Sequence, residues 1–159
     1  MSDALEARIR KVEAYQAISN IQAKYSYFVD NRQIDELLDL FTEEFIWEAG
    51  FDQMVSFNDK DKLARFLGKA DDTSDLMRHL PVTPCIEVNG DEATGKWYLF
   101  GMVTSLAEGD EKAHWVHGTY NNAYKYEGGA WKLSHLNFKY AFLTPYEDGW
   151  AKTPVGKFL

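Results

Sequence analysis

Histidines are the first side chains to consider as catalytic bases, because imidazole gains and loses a proton near neutral pH. The chain has four, at positions 79, 114, 117 and 135. His114 and His117 are three residues apart on a predicted strand and therefore face opposite ways, which disfavours a shared metal ion. His117 and His135 fit structural hydrogen bonds made from a sheet. His79 differs, because it precedes Pro81 in an extended stretch where a side chain can point into the mouth of a pocket.

Asp30 has the most unusual surroundings of the 25 acidic residues. It ends the run Tyr-Ser-Tyr-Phe-Val-Asp over residues 25–30, which is otherwise mostly apolar and aromatic. A carboxylate buried there needs a cation or an imidazole as its partner. The alternative is that Asp30 caps the short helix that follows, and the residues alone favour neither interpretation.

Motifs of covalent, nucleotide and hydride chemistry are missing. The sequence has no GxSxG, no P-loop and no GxGxxG after a strand, and the glycine pair at 128–129 is a predicted hairpin turn. The single cysteine, Cys85, can form no internal disulfide, which is typical of a reducing compartment, and we expect it to be a small buried strand residue. We also expect no metal site.

Charge and hydropathy exclude several kinds of partner. The 17 basic and 25 acidic residues give a net charge of −8, so the basic surface that binds nucleic acid is missing. No apolar run reaches the roughly 18 residues that span a bilayer. The first eight residues include the charged side chains of Asp3, Glu6 and Arg8 and lack the apolar stretch of a secretory signal. We therefore expect a soluble cytoplasmic protein that binds neither nucleic acid nor membranes.

The length of 159 residues predicts one domain over residues 1–159, large enough to bury its own core. Its aromatic residues are 5 Trp, 9 Tyr and 10 Phe, more rings than such a core needs. This excess favours an aromatic-lined pocket.

Hydrophobic periodicity predicts the helices that must position Asp30. Apolar residues three or four apart indicate a long helix from about residue 4 to 29 and a short helix over residues 34–41, with Asp30 at the corner between them. A strand should begin near residues 45–49. A third helix should follow a cap at Asn58 and Asp61 and end near Gly68.

The second half of the chain has the period of strands. We predict strands over residues 83–88, 94–106, 113–126 and 131–142, joined by turns at 89–90, 108–110 and 127–129. Helices followed by an antiparallel meander are typical of an α+β fold. Over residues 97–103 both faces of the strand are apolar, so helices should cover one face and a partner subunit or a ligand the other.

These features resemble the SnoaL-like branch of the nuclear-transport-factor-2-like superfamily over nearly the whole chain. The resemblance implies three N-terminal helices packed on a strongly bent, mixed or antiparallel sheet that encloses a pocket. Within the branch the chain is similar to bile-acid 7α-dehydratases and γ-hexachlorocyclohexane dehydrochlorinases, and more distantly to scytalone dehydratases. The stretches that carry the resemblance are 18–25 (ISNIQAKY) with Asp30, 35–37 (DEL), 40–42 (LFT), 83–84 (TP), 93–99 (ATGKWYL), 118–124 (GTYNNAY) and 129–133 (GAWKL).

The resemblance implies a lyase that uses neither a metal nor an organic cofactor. In such enzymes an Asp–His pair holds the base that takes a proton beside the leaving group, and by position this pair falls on Asp30 and His79. The pocket tyrosine of the bile-acid enzymes falls on Tyr25. A further pocket aspartate of theirs falls on Gly101 and a second tyrosine on Ala49, so their steroid substrate is not implied.

Strand alternation together with the resemblance predicts the lining of the pocket. We expect it to hold a bulky apolar or aromatic ligand with few polar groups, and we expect the glycines at 101 and 118 to leave room for it. The predicted substrate-binding residues are Trp47, Trp97, Leu99, Gly101, Val116, Gly118, Tyr120, Leu136, Phe138 and Tyr140.

The predicted function is a dehydratase-like elimination on a hydrophobic ring or aromatic substrate. His79 removes a proton, Asp30 orients the imidazole, and Tyr25 assists the departure of water or another group. One alternative is a retro-aldol C–C lyase of aromatic compound degradation, which releases formaldehyde from a lignin-derived diaryl diol. Another is a non-catalytic module that binds a small ligand. The resemblance further implies a homo-oligomer, a trimer in preference to a dimer. For residues 144–150 two interpretations stay open: the segment closes the pocket with Trp150 as its lid, or it packs on a neighbouring subunit.

Overall fold

The fold combines helices with one large sheet. The computed structural model describes residues 3–69, 74–106 and 111–154. The helices are α1 (Asp3–Asp30), α2 (Ile34–Leu38), α3 (Lys60–Gly68) and α4 (Gly149–Lys152). The strands are β1 (Phe41–Gly50), β2 (Met54–Phe57), β3 (Ser74–Asn89), β4 (Glu92–Ser105), β5 (Lys112–Glu127) and β6 (Ala130–Pro145). None of the helices in this part of the chain has the length and apolar content needed to cross a membrane.

The six strands form one mixed sheet in the order β2-β1-β6-β5-β4-β3. All neighbouring strands are antiparallel except β1 and β6, which are parallel. The predicted α+β class and the antiparallel meander from β3 to β6 are therefore confirmed. The turn predicted at 108–110 lies outside the described residues.

The helices differ from the predicted set of three N-terminal helices. The long first helix is confirmed, but α2 has five residues and ends at Leu38, because Phe41 already begins β1 and lies beside Leu133 of β6. The third helix, α3, comes only after β1 and β2. Its cap is Asp59, whose side chain accepts the backbone N–H of Lys62 at 2.9 Å, and the predicted caps at 58 and 61 were wrong.

Strand β3 is longer than predicted, because it begins at Ser74 and runs through Pro81 and Pro84. It is an edge strand, where a missing N–H does not interrupt the sheet. A register shift between Val82 and Cys85 absorbs the second proline. The prediction that Cys85 is buried was wrong, since this shift places its side chain on the exposed face.

The core lies between α1 and one face of the sheet. In β4, Trp97 and Leu99 are 4% and 0% exposed, while Tyr98 and Phe100 on the other face are 53% and 37% exposed. Tyr25 of α1 packs into the same core cluster as the inner residues of β4. The predicted alternation is thus confirmed for β4. On the outer face of the sheet, the rings of Tyr146 and Trp150 pack on those of Trp115 and Phe142.

Candidate active site

Asp30 and His79 meet where the C-terminal end of α1 packs against β3. Oδ1 of Asp30 lies 2.7 Å from Nδ1 of His79, and Oδ2 accepts the backbone N–H of His79 at 2.9 Å. Their side chains are 9% and 20% exposed. An ionised carboxylate can only accept hydrogen bonds, so Nδ1 of His79 carries its proton toward Asp30. Nε2 is then the imidazole nitrogen that can receive a proton from another molecule.

The corner after α1 fixes the position of Asp30. Arg32 adopts a left-handed backbone conformation with φ of 59°, which turns the chain away from the helix axis. Its guanidinium donates to the carbonyl of Ser74 at 2.6 Å and so ties this corner to the start of β3. The residue at the cap of α2 is Gln33, without a side-chain cap bond. Asp30 therefore binds His79 and does not cap the second helix.

Tyr25 lies about one turn before Asp30 on α1 and is buried. Its hydroxyl oxygen accepts the indole N–H of Trp47 at 2.8 Å. Burial raises the pKa of Tyr25 well above its ordinary value, and the hydrogen bond from Trp47 partly opposes this effect. Tyr25 is consequently a neutral hydroxyl at any pH at which the protein would work. Among the described residues, it makes no hydrogen bond to Asp30 or His79.

Two more tyrosines belong to the same region. The Tyr120 ring meets the Tyr25 ring edge to face with 6.3 Å between centroids. Burial raises the pKa of Tyr120 well above its ordinary value, and the nearby groups of Tyr25, Tyr140 and Asp30 raise it further. Burial also raises the pKa of Tyr140. Three neutral phenols therefore lie near one another, and Tyr120 is close enough to Asp30 for the carboxylate to affect its pKa.

All ten predicted lining residues lie on the inner side of the sheet. Val116 and Tyr140 are partly buried and pack against the core cluster. The other eight are buried, namely Trp47, Trp97, Leu99, Gly101, Gly118, Tyr120, Leu136 and Phe138.

The two glycines do not provide open space, contrary to the prediction. A Cβ on Gly118 would lie 2.5 Å from both the Lys139 carbonyl oxygen and the Phe138 ring. A Cβ on Gly101 would lie 2.7 Å from the Arg78 carbonyl oxygen. These positions are glycine because backbone and ring atoms approach closely, so they serve packing.

A cavity of about 1090 Å³ lies elsewhere, between α1 and the hairpin ends of the sheet. Its lining includes Arg10, Lys24, Val88, Tyr126 and Trp131, and none of the predicted catalytic residues. The candidate site therefore rests on the contact between Asp30 and His79 rather than on the size of a cavity. Among the described residues, no group of three or more His, Cys, Asp or Glu side chains is placed to hold a metal ion.

A second carboxylate–imidazole contact, between Glu48 and His135, was not predicted from the sequence. Glu48 Oε2 accepts from His135 Nε2 and from Asn137 Nδ2, each at 2.9 Å. The hydrogen bond from His135, followed by that from Asn137, holds the pKa of Glu48 below its ordinary value. This contact lies on the outer face of the sheet. His117 donates through Nδ1 to the Leu99 carbonyl at 2.6 Å, so both it and His135 make the structural hydrogen bonds that were predicted.

Residues 10–137 match the SnoaL-like domain family. Among solved structures, the chain is similar to hexachlorocyclohexane dehydrochlorinase LinA-type3 from Novosphingobium barchaimii, with a TM-score of 0.78 and 18% identity over 87% of this chain and 93% of that one. It is also similar to a proposed scytalone dehydratase from Novosphingobium aromaticivorans, with a TM-score of 0.75 and 20% identity over 86% and 89% of the two chains.

A third similar structure is a Nostoc punctiforme protein of unknown function with a cystatin-like fold. Its TM-score is 0.63, with 17% identity over 79% of this chain and 90% of that one. At identities this low, the structural likeness establishes the fold, while the reaction has to be argued from the side chains of the site.

Proposed function

Because the chain belongs to the SnoaL-like domain family, within the nuclear-transport-factor-2-like superfamily, we propose that it is a lyase that eliminates a small group from a hydrophobic ring or aromatic substrate. The proposed base is His79, oriented by Asp30, with Tyr25 as the hydrogen-bond donor to the leaving group. The reaction uses no cofactor. We place the bound substrate beside His79, at the part of the inner face where Gly101 and Val116 lie next to it in the sheet.

The observation that carries this proposal is the 2.7 Å contact between Asp30 and His79. A carboxylate that accepts both the ring N–H and the backbone N–H of one histidine fixes the imidazole in one tautomer and one orientation. It also stabilises the imidazolium that forms when Nε2 takes a proton. His79 is partly exposed while Asp30 is nearly buried, so a ligand can reach the base more easily than its partner.

The proposed elimination balances without an outside reagent. His79 Nε2 takes a proton from the carbon next to the one that bears the leaving group, and the C–H electrons form the new double bond. The leaving oxygen departs with the electrons of its C–O bond and receives the proton that His79 took, so that the product is water. Tyr25 holds its own proton because burial raises its pKa, and it therefore assists by donating a hydrogen bond.

The substrate class follows from the surroundings of the pair. Aromatic and aliphatic side chains dominate the inner face of the sheet, and the tyrosine hydroxyls are its few polar groups. A ring substrate with one or two oxygen atoms fits this balance. Two similar structures are named as a dehydrochlorinase and a proposed dehydratase, and both names describe eliminations.

We further propose that the chain forms a trimer through the outer face of the sheet and works in the cytoplasm. Tyr98, Phe100, Leu80 and Val82 expose between 37% and 53% of their surface on adjacent strands there. A continuous apolar surface of this kind is typical of a subunit interface.

Mass spectrometry of reaction mixtures tests the proposed reaction. Wild type is incubated with hydroxylated steroids, aryl diols, polyketide-like phenols and hexachlorocyclohexane, beside His79→Gln and Asp30→Asn. His135→Gln is the matched control, because His135 also contacts a carboxylate but lies on the outer face. We expect loss of water or chloride with wild type and His135→Gln and none with the other two variants.

Two results would replace this proposal with another. Release of formaldehyde from a diaryl diol, lost in both site variants, would identify a retro-aldol C–C lyase. No conversion of any compound, combined with a raised melting temperature in the presence of one of them, would identify a non-catalytic binding module.

A further inference from the structure

The hydrogen bond between Trp47 and Tyr25 determines where the Tyr25 proton can go. Nε1 of Trp47 lies 2.8 Å from the Tyr25 oxygen, and the two residues are 5% and 4% exposed. An indole N–H can only donate, so the tyrosine oxygen is the acceptor. The hydroxyl proton of Tyr25 is therefore not shared with Trp47 and is left for another acceptor.

The geometry of a phenol restricts the direction of that proton. A tyrosine O–H lies close to the plane of its ring, where it can point to either side of the oxygen. A hydrogen bond accepted from the indole N–H of Trp47 therefore favours a hydroxyl proton on the opposite side of the oxygen. Within the described part of the chain, no group accepts this proton, as is expected of a donor held ready for a ligand atom.

Trp47 is itself held by rings from two other elements. Its indole packs on Phe57 of β2 and Phe66 of α3, with centroid distances of 5.9 and 5.6 Å. Its backbone lies between Phe57 of β2 and Leu136 of β6 in the sheet. The indole N–H therefore has a fixed direction before any ligand binds.

The hydrogen bond from Trp47 makes the Tyr25 hydroxyl a better hydrogen-bond donor. Burial raises the pKa of Tyr25 and makes its hydroxyl a poorer donor, whereas the hydrogen bond from Trp47 acts in the opposite direction. A hydroxyl that already accepts a hydrogen bond also donates a stronger one, because the two bonds polarise each other.

We propose that Trp47 is a positioning residue, whose indole N–H fixes the Tyr25 hydroxyl so that its proton points at an oxygen of the bound ligand. The identity of this oxygen as part of the substrate rests on the proposed function. Trp47 was predicted only as an apolar lining residue. In this proposal it also acts, through Tyr25, on any ligand oxygen that carries negative charge.

The probe for this proposal is 4-nitrophenol, whose anion absorbs visible light and whose neutral form does not. A fixed O–H donor favours the bound anion, so the ratio of bound anion to bound phenol measures the donor directly. The ratio is compared among wild type, Trp47→Phe, Tyr25→Phe and the double variant. Trp131→Phe is the matched control, because Trp131 lies near the start of β6 and outside the site.

We expect Tyr25→Phe to lower the ratio about tenfold, the size of one hydrogen bond to a charged group. Trp47→Phe should lower the ratio by about threefold or more, because it weakens the hydrogen bond from Tyr25 to the anion without removing it. The double variant should match Tyr25→Phe alone, because Trp47 acts only through the hydroxyl. Trp131→Phe should match wild type.

The proposal is overturned if Trp47→Phe leaves the ratio unchanged, if the two effects add in the double variant, or if wild type binds no anion. Should Trp47→Phe fail to fold, replacement of the Trp47 indole by benzothiophene removes the N–H and retains the shape. This assay requires no turnover. If wild type catalyses no elimination but the effects of the two substitutions on the ratio are non-additive, the proposed lyase activity alone is refuted. If wild type catalyses the elimination but the two effects add, the role of Trp47 alone is refuted.

Discussion

The carboxylate of Asp30 binds both the ring and the backbone of His79, a residue 49 positions away along the chain. Asp30 thus has two roles, since it orients an imidazole and it joins the end of α1 to the edge strand β3. Removal of the carboxylate should therefore affect both the chemistry and the stability of the fold.

Asp30→Ala should destabilise the protein by about 1–3 kcal/mol, because it leaves the partly buried backbone N–H of His79 without its acceptor. Asp39→Ala is the control, since Asp39 is exposed at the end of α2 and should change stability by less than about 0.5 kcal/mol. Urea unfolding of the three proteins measures both values. Equal stability of the two variants would show that the contact does not hold α1 to β3.

His79→Gln should lower the turnover of an identified substrate by about 10²–10⁴-fold, the usual contribution of a general base. His114→Gln is a second control, because His114 lies on β5 and contacts the Lys112 carbonyl through Nδ1 at 3.0 Å. The melting temperature of each variant checks that the fold persists. Full turnover by a folded His79→Gln protein would exclude this residue as the base.

Ser26→Ala should leave stability unchanged or raise it by up to about 1 kcal/mol, because the buried hydroxyl has no hydrogen-bond partner among the described residues and alanine favours a helix. Thr42→Val gives the contrast. The Thr42 hydroxyl contacts the Glu44 and Leu133 carbonyls at 2.7 and 3.2 Å, so its loss should cost about 1–2 kcal/mol. A destabilised Ser26→Ala would indicate a partner such as a bound water.

Gly118→Ala should destabilise by about 1–3 kcal/mol, since the added methyl group meets the Lys139 carbonyl and the Phe138 ring. Gly68→Ala should be neutral or stabilising by up to about 1 kcal/mol, because no atom lies within contact of its added Cβ at the end of α3. Thermal unfolding compares the pair. A neutral Gly118→Ala would indicate the open space that the sequence predicted there.

Glu48 should contribute to stability at neutral pH and lose this contribution in acid. Its pKa is lower in the folded protein than its ordinary value, so the ionised form is stabilised on folding. The contribution is present above the ordinary pKa and disappears as the pH falls through the lowered one. The stability difference between wild type and Glu48→Gln should therefore shrink from pH 7 to below that lowered pKa. A difference that grows on acidification would contradict the assignment.

The sequence determined those features that depend on neighbours along the chain. Residues three or four apart in α1 and alternating residues in β4 decide which side of each element is apolar, and the structure has both elements within two residues of their predicted bounds. The family motifs likewise identified the SnoaL-like fold. They also singled out Asp30 and His79, whose side chains the structure brings into contact.

The tertiary structure decided what depends on pairing between distant segments. In β6, one extra residue at Ser134 and another at Ala141 shift its register against β5, so that Leu133 and Leu136 share the buried face although alternation places them on opposite faces. The parallel pairing of β1 with β6 brings Glu48 to His135 in the same way. Packing also filled the space at Gly118 with the Phe138 ring. Local periodicity carries no information on such shifts, because the free energy that selects a register comes from side chains on other strands.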